Sequence, residues 1–269
     1  MQVGKHGSAP CEFDHPRAMR IDKLTGHVYI IDTNNSRIQV WDENLDYLTQ
    51  FGKGILHYPR AITIIDGNIF VTDFFKDFLY KFSLPNYVLI KSKLQDKPLP
   101  KLHNPTAIDD ENNELFVLEA DKRRILVFTE NLEFLRSLAK GVINVAFDLQ
   151  VKQGIIHVLE VDTNLIQLLN SQNGQLIASV LTNHNSMSFY NACHFSLNPE
   201  TNQYYITDWK LNKVKIISGT GAFIRIIDTS YYQCLQPRGI VSYPNKDIII
   251  TFQEGKNALA KLPTVFSTD

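Results

Sequence analysis

Apolar runs and clusters of turn residues alternate along the chain, and the pattern is clearest in residues 15–51. Four β-branched or aromatic runs lie there, RAMRID, HVYIID, RIQVW and DYLTQF, separated by KLTG, TNNS and DENL. Runs of this kind bounded by Gly, Asn, Asp and Ser are typical of short strands joined by turns. The stretch therefore predicts a four-stranded antiparallel sheet. Such a sheet cannot bury both faces by itself, so it needs copies that pack against it.

The pattern recurs in six repeats that align at the start of their first strands. We call the leading positions of each first strand its first, second, third and fourth places, and the third place holds Ala or Gly throughout this alignment. The aligned segments are Pro16-Arg17-Ala18-Met19, Pro59-Arg60-Ala61-Ile62, Pro105-Thr106-Ala107-Ile108, Asn144-Val145-Ala146-Phe147, Tyr190-Asn191-Ala192-Cys193 and Pro237-Arg238-Gly239-Ile240.

Six repeats of four strands predict an all-β, six-bladed β-propeller, in which radial repetition leaves few open sheet edges. We expect a single domain over residues 1–269, with blades at 15–52, 58–91, 104–138, 142–181, 190–228 and 236–269. Residues 1–4 are a candidate closing strand for the last blade, and residues 264–266 are the alternative. The small third residue fits this fold, because the first strands converge near the axis.

An acidic residue ends the second strand of five repeats: Asp32, Asp73, Glu119, Glu160 and Asp208. The sixth repeat has Phe252 at this position. We predict a structural role. Three of the acids face a base five residues later, in the pairs Asp32 with Arg37, Glu119 with Arg124, and Asp208 with Lys213. Where that base is missing, we expect the carboxylate to accept loop N–H groups.

The motifs P-R-A-[MI], [YF]-[IV]-[IT]-D and R-I-x-V-[WF] together resemble the NHL repeat. The match is best in residues 15–52, 58–91, 104–138 and 236–251. The resemblance implies the propeller fold and a binding function. In NHL proteins of the tripartite-motif kind it implies RNA binding on one face, whereas other members bind proteins.

A net charge of −1 conceals an uneven distribution of charge over the predicted loops. Loops between blades and loops joining second to third strands share one face and collect most Lys and Arg. A basic face attracts anionic partners. We predict phosphate contacts from Arg17, Lys53, Arg60, Lys122, Arg123 and Arg238, with Phe75 and Trp209 stacking on bases. Alternatively, the arginines pair with carboxylates of neighbouring blades, and the aromatic residues form a protein-docking surface.

Enzymatic interpretations have less support in the sequence. Asp109, Asp148 and His194 come from successive repeats and are weak candidates for a metal site, although they also fit a charge-balanced set with Arg20. The chain has no H-E-x-x-H, G-x-S-x-G or P-loop motif. We therefore predict a non-catalytic module without a cofactor that binds RNA or another anionic partner. A protein-interaction scaffold is the alternative, and a metal-dependent hydrolase or lyase is third.

Sequence features that relate to membranes, secretion and disulfides bear on the cellular location. The chain has no apolar run near 18 residues and no signal-peptide pattern at its start. Its three cysteines include no C-x-x-C pair, which favours a reducing compartment. We expect a cytoplasmic, monomeric domain without membrane association, alone or within a larger chain.

Overall fold

A computed structural model describes residues 1–92, 101–181, 191–198, 200–243 and 247–263. Within these ranges the strands form six sheets of four antiparallel strands, a six-bladed β-propeller, with a further two-stranded sheet near the start of the chain. The predicted fold class is confirmed. Among the described residues, no helix has the length and apolar character needed to cross a membrane.

Each of the first three blades is built from four consecutive strands of the chain. Blade 1 contains β4 (Pro16–Ile21), β5 (Val28–Asp32), β6 (Arg37–Trp41) and β7 (Tyr47–Phe51). Blade 2 contains β8 (Pro59–Ile65), β9 (Asn68–Asp73), β10 (Phe78–Ser83) and β11 (Leu89–Ser92). Blade 3 contains β12 (Pro105–Glu111), β13 (Glu114–Glu119), β14 (Arg124–Thr129) and β15 (Phe134–Leu138).

The last three blades continue in chain order until the sixth, which takes its fourth strand from the start of the chain. Blade 4 contains β16 (Ala146–Lys152), β17 (Ile155–Glu160), β18 (Leu165–Asn170) and β19 (Leu176–Leu181). Blade 5 contains β20 (Ala192–Asn198), β21 (Gln203–Asp208), β22 (Lys213–Ser218) and β23 (Phe223–Asp228). Blade 6 contains β24 (Cys234–Ser242), β25 (Ile248–Gly255), β26 (Leu259–Leu262) and β1 (Gln2–Val3).

The strand that completes blade 6 is β1, in which Gln2 lies opposite Ala260 and Val3 lies opposite Leu259. The alternative closing segment, residues 264–266, lies outside the described residues. The two-stranded sheet pairs β2 (Lys5–His6) with β3 (Glu12–Phe13) in parallel. Along the chain, this small sheet lies between β1 and β4, the first strand of blade 1.

The chain divides into two compact units, residues 1–50 with 181–269 and residues 51–180. The first unit holds blades 5, 6 and 1, and apolar side chains such as Ile30, Tyr205 and Ile250 fill its core. The second unit holds blades 2, 3 and 4, with Phe116, Val127 and similar residues inside. In both units the second and third strands are almost wholly buried, which explains their continuous apolar runs.

In five blades the acid that ends the second strand accepts an N–H from the segment that leads into the first strand of the same blade. Asp32 accepts the N–H of Asp14 at 2.7 Å, and Asp73 accepts the N–H of His57 at 2.6 Å. Glu160 accepts the N–H of Asn144 at 2.7 Å. The expectation that Asp73 and Glu160 bind loop N–H groups is confirmed. These bonds anchor the chain where it enters blades 1 to 5.

The predicted ion pairs are confirmed in two of three blades. Arg37 lies 2.7 Å from Asp32, and Arg124 contacts Glu119. In blade 5 the prediction was wrong, because Asp208 pairs at 3.6 Å with Lys215 rather than with Lys213. Lys215 is two residues further along β22, on the same side of the strand, and is buried next to the carboxylate.

The predicted alignment of the fourth and fifth repeats was also wrong, by two residues. Ala146 and Ala192 lie opposite Glu160 and Asp208, as Pro59 lies opposite Asp73. These alanines therefore occupy the first place, where other blades have proline, and not the third. The second places of blades 4 and 5 are Phe147 and Cys193, and the third places are Asp148 and His194.

A threonine in the second strand marks the true register. Thr72, Thr207 and Thr251 each accept the N–H of the third-place residue of their own blade through Oγ1. The donors are Ala61 at 3.1 Å, His194 at 3.3 Å and Gly239 at 2.8 Å. The third place therefore does not require Ala or Gly in every blade.

We predict that Arg37→Met destabilises the fold more than a change at any exposed arginine. Arg37 is 1% exposed and binds Asp32, Gln50 and the carbonyls of residues 8, 9 and 12. Its loss leaves a buried carboxylate uncompensated, which costs about 3–5 kcal/mol. Chemical denaturation measures the change, with the exposed Arg123→Met as the control. A loss below about 1 kcal/mol would contradict a structural role for this cation.

Candidate functional site

Five residues of the first compact unit form what we call the arginine site: Arg17, Cys193, Trp209, Arg238 and Gln253. Arg17, Cys193 and Arg238 are the second-place residues of blades 1, 5 and 6, on strands β4, β20 and β24. Trp209 and Gln253 come directly after the second-strand positions Asp208 and Phe252. The repeat therefore brings residues at equivalent positions of neighbouring blades close together.

The guanidinium group of Arg238 is fixed on two sides. Its central carbon lies 4.5 Å from the centre of the Trp209 ring, a cation–π contact. Its Nε and one terminal nitrogen donate to Oε1 of Gln253 at 2.8 and 2.6 Å. An indole ring and a neutral amide therefore orient this cation in advance of any ligand.

The backbones of the two arginines are tied to the blades beside them. Thr251 Oγ1 donates to the carbonyl of Arg17 at 3.1 Å, and Thr207 Oγ1 donates to the carbonyl of Arg238 at 2.7 Å. Gly239 is required at its position, because a Cβ atom there would lie 2.0 Å from the Arg17 carbonyl oxygen. Strands β24 and β4 consequently approach closely, which places Arg17 and Arg238 on neighbouring strands.

Cys193 is the buried residue of the arginine site and is only 5% exposed. Its sulfur lies 3.3 Å from Thr207 Oγ1 and 3.5 Å from the carbonyl oxygen of Pro237. Burial raises the pKa of the Cys193 thiol, although Arg238, the bond to Thr207 and Arg17 act in the opposite direction. The group is therefore a neutral thiol near pH 7, which does not suit a thiolate nucleophile.

A second feature, the aromatic cluster, lies in blade 2 and comprises His57, Tyr58, Phe74 and Phe75. The Phe75 ring centre is 4.5 Å from that of Tyr58, 5.2 Å from that of Phe74 and 6.4 Å from that of His57. The guanidinium carbon of Arg60 lies 4.8 Å from the Phe74 ring and 5.8 Å from the Phe147 ring. This predicted arginine is thus held by aromatic faces within the second unit.

The other predicted phosphate contacts are exposed residues of the second unit. Lys53 lies in the loop that leads into blade 2. Lys122 ends the short 3-10 segment Ala120–Lys122, and Arg123 follows it directly. The structure assigns them to neither the arginine site nor the aromatic cluster. Their role in binding stays a prediction.

The three weak metal candidates do not occupy equivalent positions. Asp109 is buried at the fifth position of β12 and accepts the Val151 N–H at 2.7 Å. Asp148 and His194 stand at third places, and Asp148 accepts the N–H of Leu149. In the part of the chain that the structure describes, no group of three or more His, Cys, Asp or Glu side chains could hold a metal ion.

Of the five residues of the arginine site, the sequence suggests Arg17, Trp209 and Arg238 as binding candidates, whereas Cys193 and Gln253 join them only in the structure. Cys193 was assigned to the fourth place because Ala192 was aligned with the small third residues of other repeats. The Thr-Asp pairs at residues 72–73 and 207–208 carried the correct register. No repeat motif marks Gln253, because its place in the site depends on its hydrogen bonds with Arg238.

Comparison with known proteins identifies relatives only at the level of fold. No protein-family model matches the chain, and no curated protein matches it. Hydrazine synthase of Kuenenia stuttgartiensis is similar in structure, with a TM-score of 0.70 and 10% identity over 97% of this chain and 98% of that one. A catalytically inactive virginiamycin B lyase from Staphylococcus aureus, solved with quinupristin, has a TM-score of 0.66 and 13% identity over 93% and 80%.

A streptogramin B lyase is also similar, with a TM-score of 0.65 and 11% identity over 95% of each chain. The prediction that the chain is not an enzyme is contradicted, because these solved structures of the same fold are enzymes. The propeller is therefore compatible with catalysis as well as with binding. At this identity the likeness shows the fold alone, and it transfers no reaction to this chain.

We predict that Cys193 resists alkylation in the folded protein. Burial and its raised pKa keep it neutral and covered, so iodoacetamide at pH 7.5 should label it at least about tenfold more slowly than the half-buried Cys11. Peptide mass spectrometry at increasing times measures both rates, and labelling in denaturant supplies the control for intrinsic reactivity. Rapid labelling of folded Cys193 would contradict the assigned burial and charge state.

Proposed function

We propose that the protein binds an anionic ligand, one that carries a carboxylate or phosphate group, at the arginine site. The observation that carries the proposal is the fixed guanidinium of Arg238 between Trp209 and Gln253, with Arg17 on the adjacent strand. Guanidinium groups bind carboxylate and phosphate through paired, charge-assisted hydrogen bonds. A cation that is oriented beforehand loses less conformational entropy on binding.

The charge around the site favours an anion. Blade 6 has Phe252 at the position where five other blades have Asp or Glu, so the repeat's usual carboxylate is missing beside Arg238. The corresponding acid of blade 5, Asp208, is engaged by Lys215. The neutral thiol of Cys193 contributes no negative charge.

The proposal is broader than the RNA binding implied by the resemblance to NHL repeats. Trp209 was predicted to stack on a base, but the guanidinium of Arg238 already covers one face of its ring. The role of this indole is therefore to position the arginine. We propose the class of anionic ligand and treat RNA as one member of it to be tested.

The test compares three probes on the full chain by calorimetric titration: inorganic phosphate, citrate and an oligouridylate. We expect at least one probe to bind, with an affinity that falls between about 50 and 200 mM salt because the attraction is electrostatic. Arg238→Gln and Arg17→Gln should each weaken binding about tenfold or more, since each removes charged hydrogen bonds.

The matched control is Lys23→Gln, which removes an exposed cation of blade 1 that belongs to neither the arginine site nor the predicted phosphate contacts. Affinity in this variant should stay within about twofold of the original chain. Failure of all three probes at low salt, or an equal loss in the control, would reject the arginine site as the binding site. Binding of the oligouridylate alone, lost in both site variants, would narrow the ligand to nucleic acid.

A further inference from the structure

Four other blades show what the loop between the second and third strands requires. The second residue of this loop is polar or charged in all four: Asn34, Asp121, Asp162 and Lys210. In blade 2 the equivalent residue is Phe75, whose side chain is 61% exposed. The same loop forms with a polar residue in the other blades, so folding does not require an aromatic ring here.

Phe75 is also not isolated. Its ring contacts those of Tyr58, Phe74 and His57, and Arg60 lies over Phe74. Asp73, which ends β9, accepts the backbone N–H groups of His57 and Tyr58 and fixes the loop on which these rings stand. The result is a group of large side chains in mutual contact, partly open to solvent. Exposed aromatic groups of this kind are typical anchors of protein-binding surfaces.

The charge beside the aromatic cluster indicates the partner. Lys53 and Lys76 are exposed in the two loops that carry the cluster. The acids of the same loops are engaged, since Asp73 is fully buried and Asp77 lies 3.9 Å from the ammonium group of Lys101. The cluster is therefore bordered by positive charge, which complements an acidic partner.

The ring geometry separates a peptide from a single-stranded nucleic acid. Phe75 is inclined by 45° to Tyr58, 70° to Phe74 and 71° to His57. Bases stack on flat, accessible ring faces. Rings inclined to one another instead present both edges and faces, which suits packing against an apolar side chain. We infer that the aromatic cluster is a docking site for an acidic peptide segment that inserts an aromatic or large aliphatic side chain beside Phe75.

The experiment selects peptides from a random display library on the immobilised full chain, then measures selected peptides by fluorescence polarisation. We expect enrichment of Asp and Glu around one aromatic or leucine residue. Phe75→Asn introduces the residue that blade 1 carries at this position and should weaken binding at least about tenfold. Lys76→Glu should also weaken binding, because it reverses a bordering charge.

Two controls separate this site from loss of structure and from the arginine site. Leu24→Asn removes another exposed apolar side chain, 88% exposed, and should leave peptide affinity unchanged. Arg238→Gln should also leave it unchanged, so that the arginine site and this surface are judged independently. Thermal unfolding of Phe75→Asn should match that of the unmodified chain.

Enrichment of basic peptides, no enrichment, or peptide binding that survives Phe75→Asn would each overturn the inference. A labelled oligouridylate is the competing probe. If it binds through Phe75 and displaces the selected peptides, the surface recognises nucleic acid and the assigned peptide partner is wrong.

Discussion

The structure depends on a buried carboxylate that ends the second strand of a blade and captures the chain as it enters the first strand. In blade 1 this group is Asp32, which accepts the Asp14 N–H and binds the buried Arg37. Burial raises the pKa of Asp32, while the Asp14 N–H, Asn35 and Arg37 oppose that rise. A buried charge is tolerated only when such partners satisfy it. The bonds thus fix where each inter-blade segment ends and where the next strand begins.

The functional features follow from this anchoring. The acid fixes the incoming segment in five blades, and in blade 6 Asn212 Oδ1 accepts the Gln236 N–H at 2.7 Å instead. The second-place residue of each first strand and the residue after the end of the second-strand motif are then set in space. In blades 5, 6 and 1 those positions supply Cys193, Trp209, Arg238, Gln253 and Arg17. In blade 2 they supply Arg60 and Phe74, with Phe75 next to them. The same repeated backbone therefore presents a cationic site in one compact unit and an aromatic surface in the other, because different residues occupy equivalent positions.

The fold could be predicted because its signals are local and repeated. Strand runs, turn clusters and the recurring acid identify six blades, and an error in one repeat does not remove the pattern. Register was harder, since Ala146 and Ala192 mimic a small third residue while occupying the first place. The role of the stacked Trp209 was out of reach, because it depends on a contact between blades 5 and 6 that no single repeat encodes. The role of Gln253 was out of reach because it depends on the side-chain contact with Arg238 of its own blade, which the repeat pattern does not mark. The solved enzymes of this fold corrected the expectation of a non-catalytic chain.

Fluorine NMR of protein labelled with 5-fluorotryptophan can show whether Arg238, held against Trp209, receives an anion. The chain has two tryptophans, and Trp41 is 3% exposed in the core of blade 1, where it serves as an internal reference. A Trp209→Phe variant assigns the signals. We predict that inorganic phosphate or citrate changes the chemical shift of the Trp209 resonance in a saturable way and leaves the chemical shift of Trp41 unchanged. A Trp209 resonance that does not respond to either anion, or that moves only together with Trp41, would contradict it.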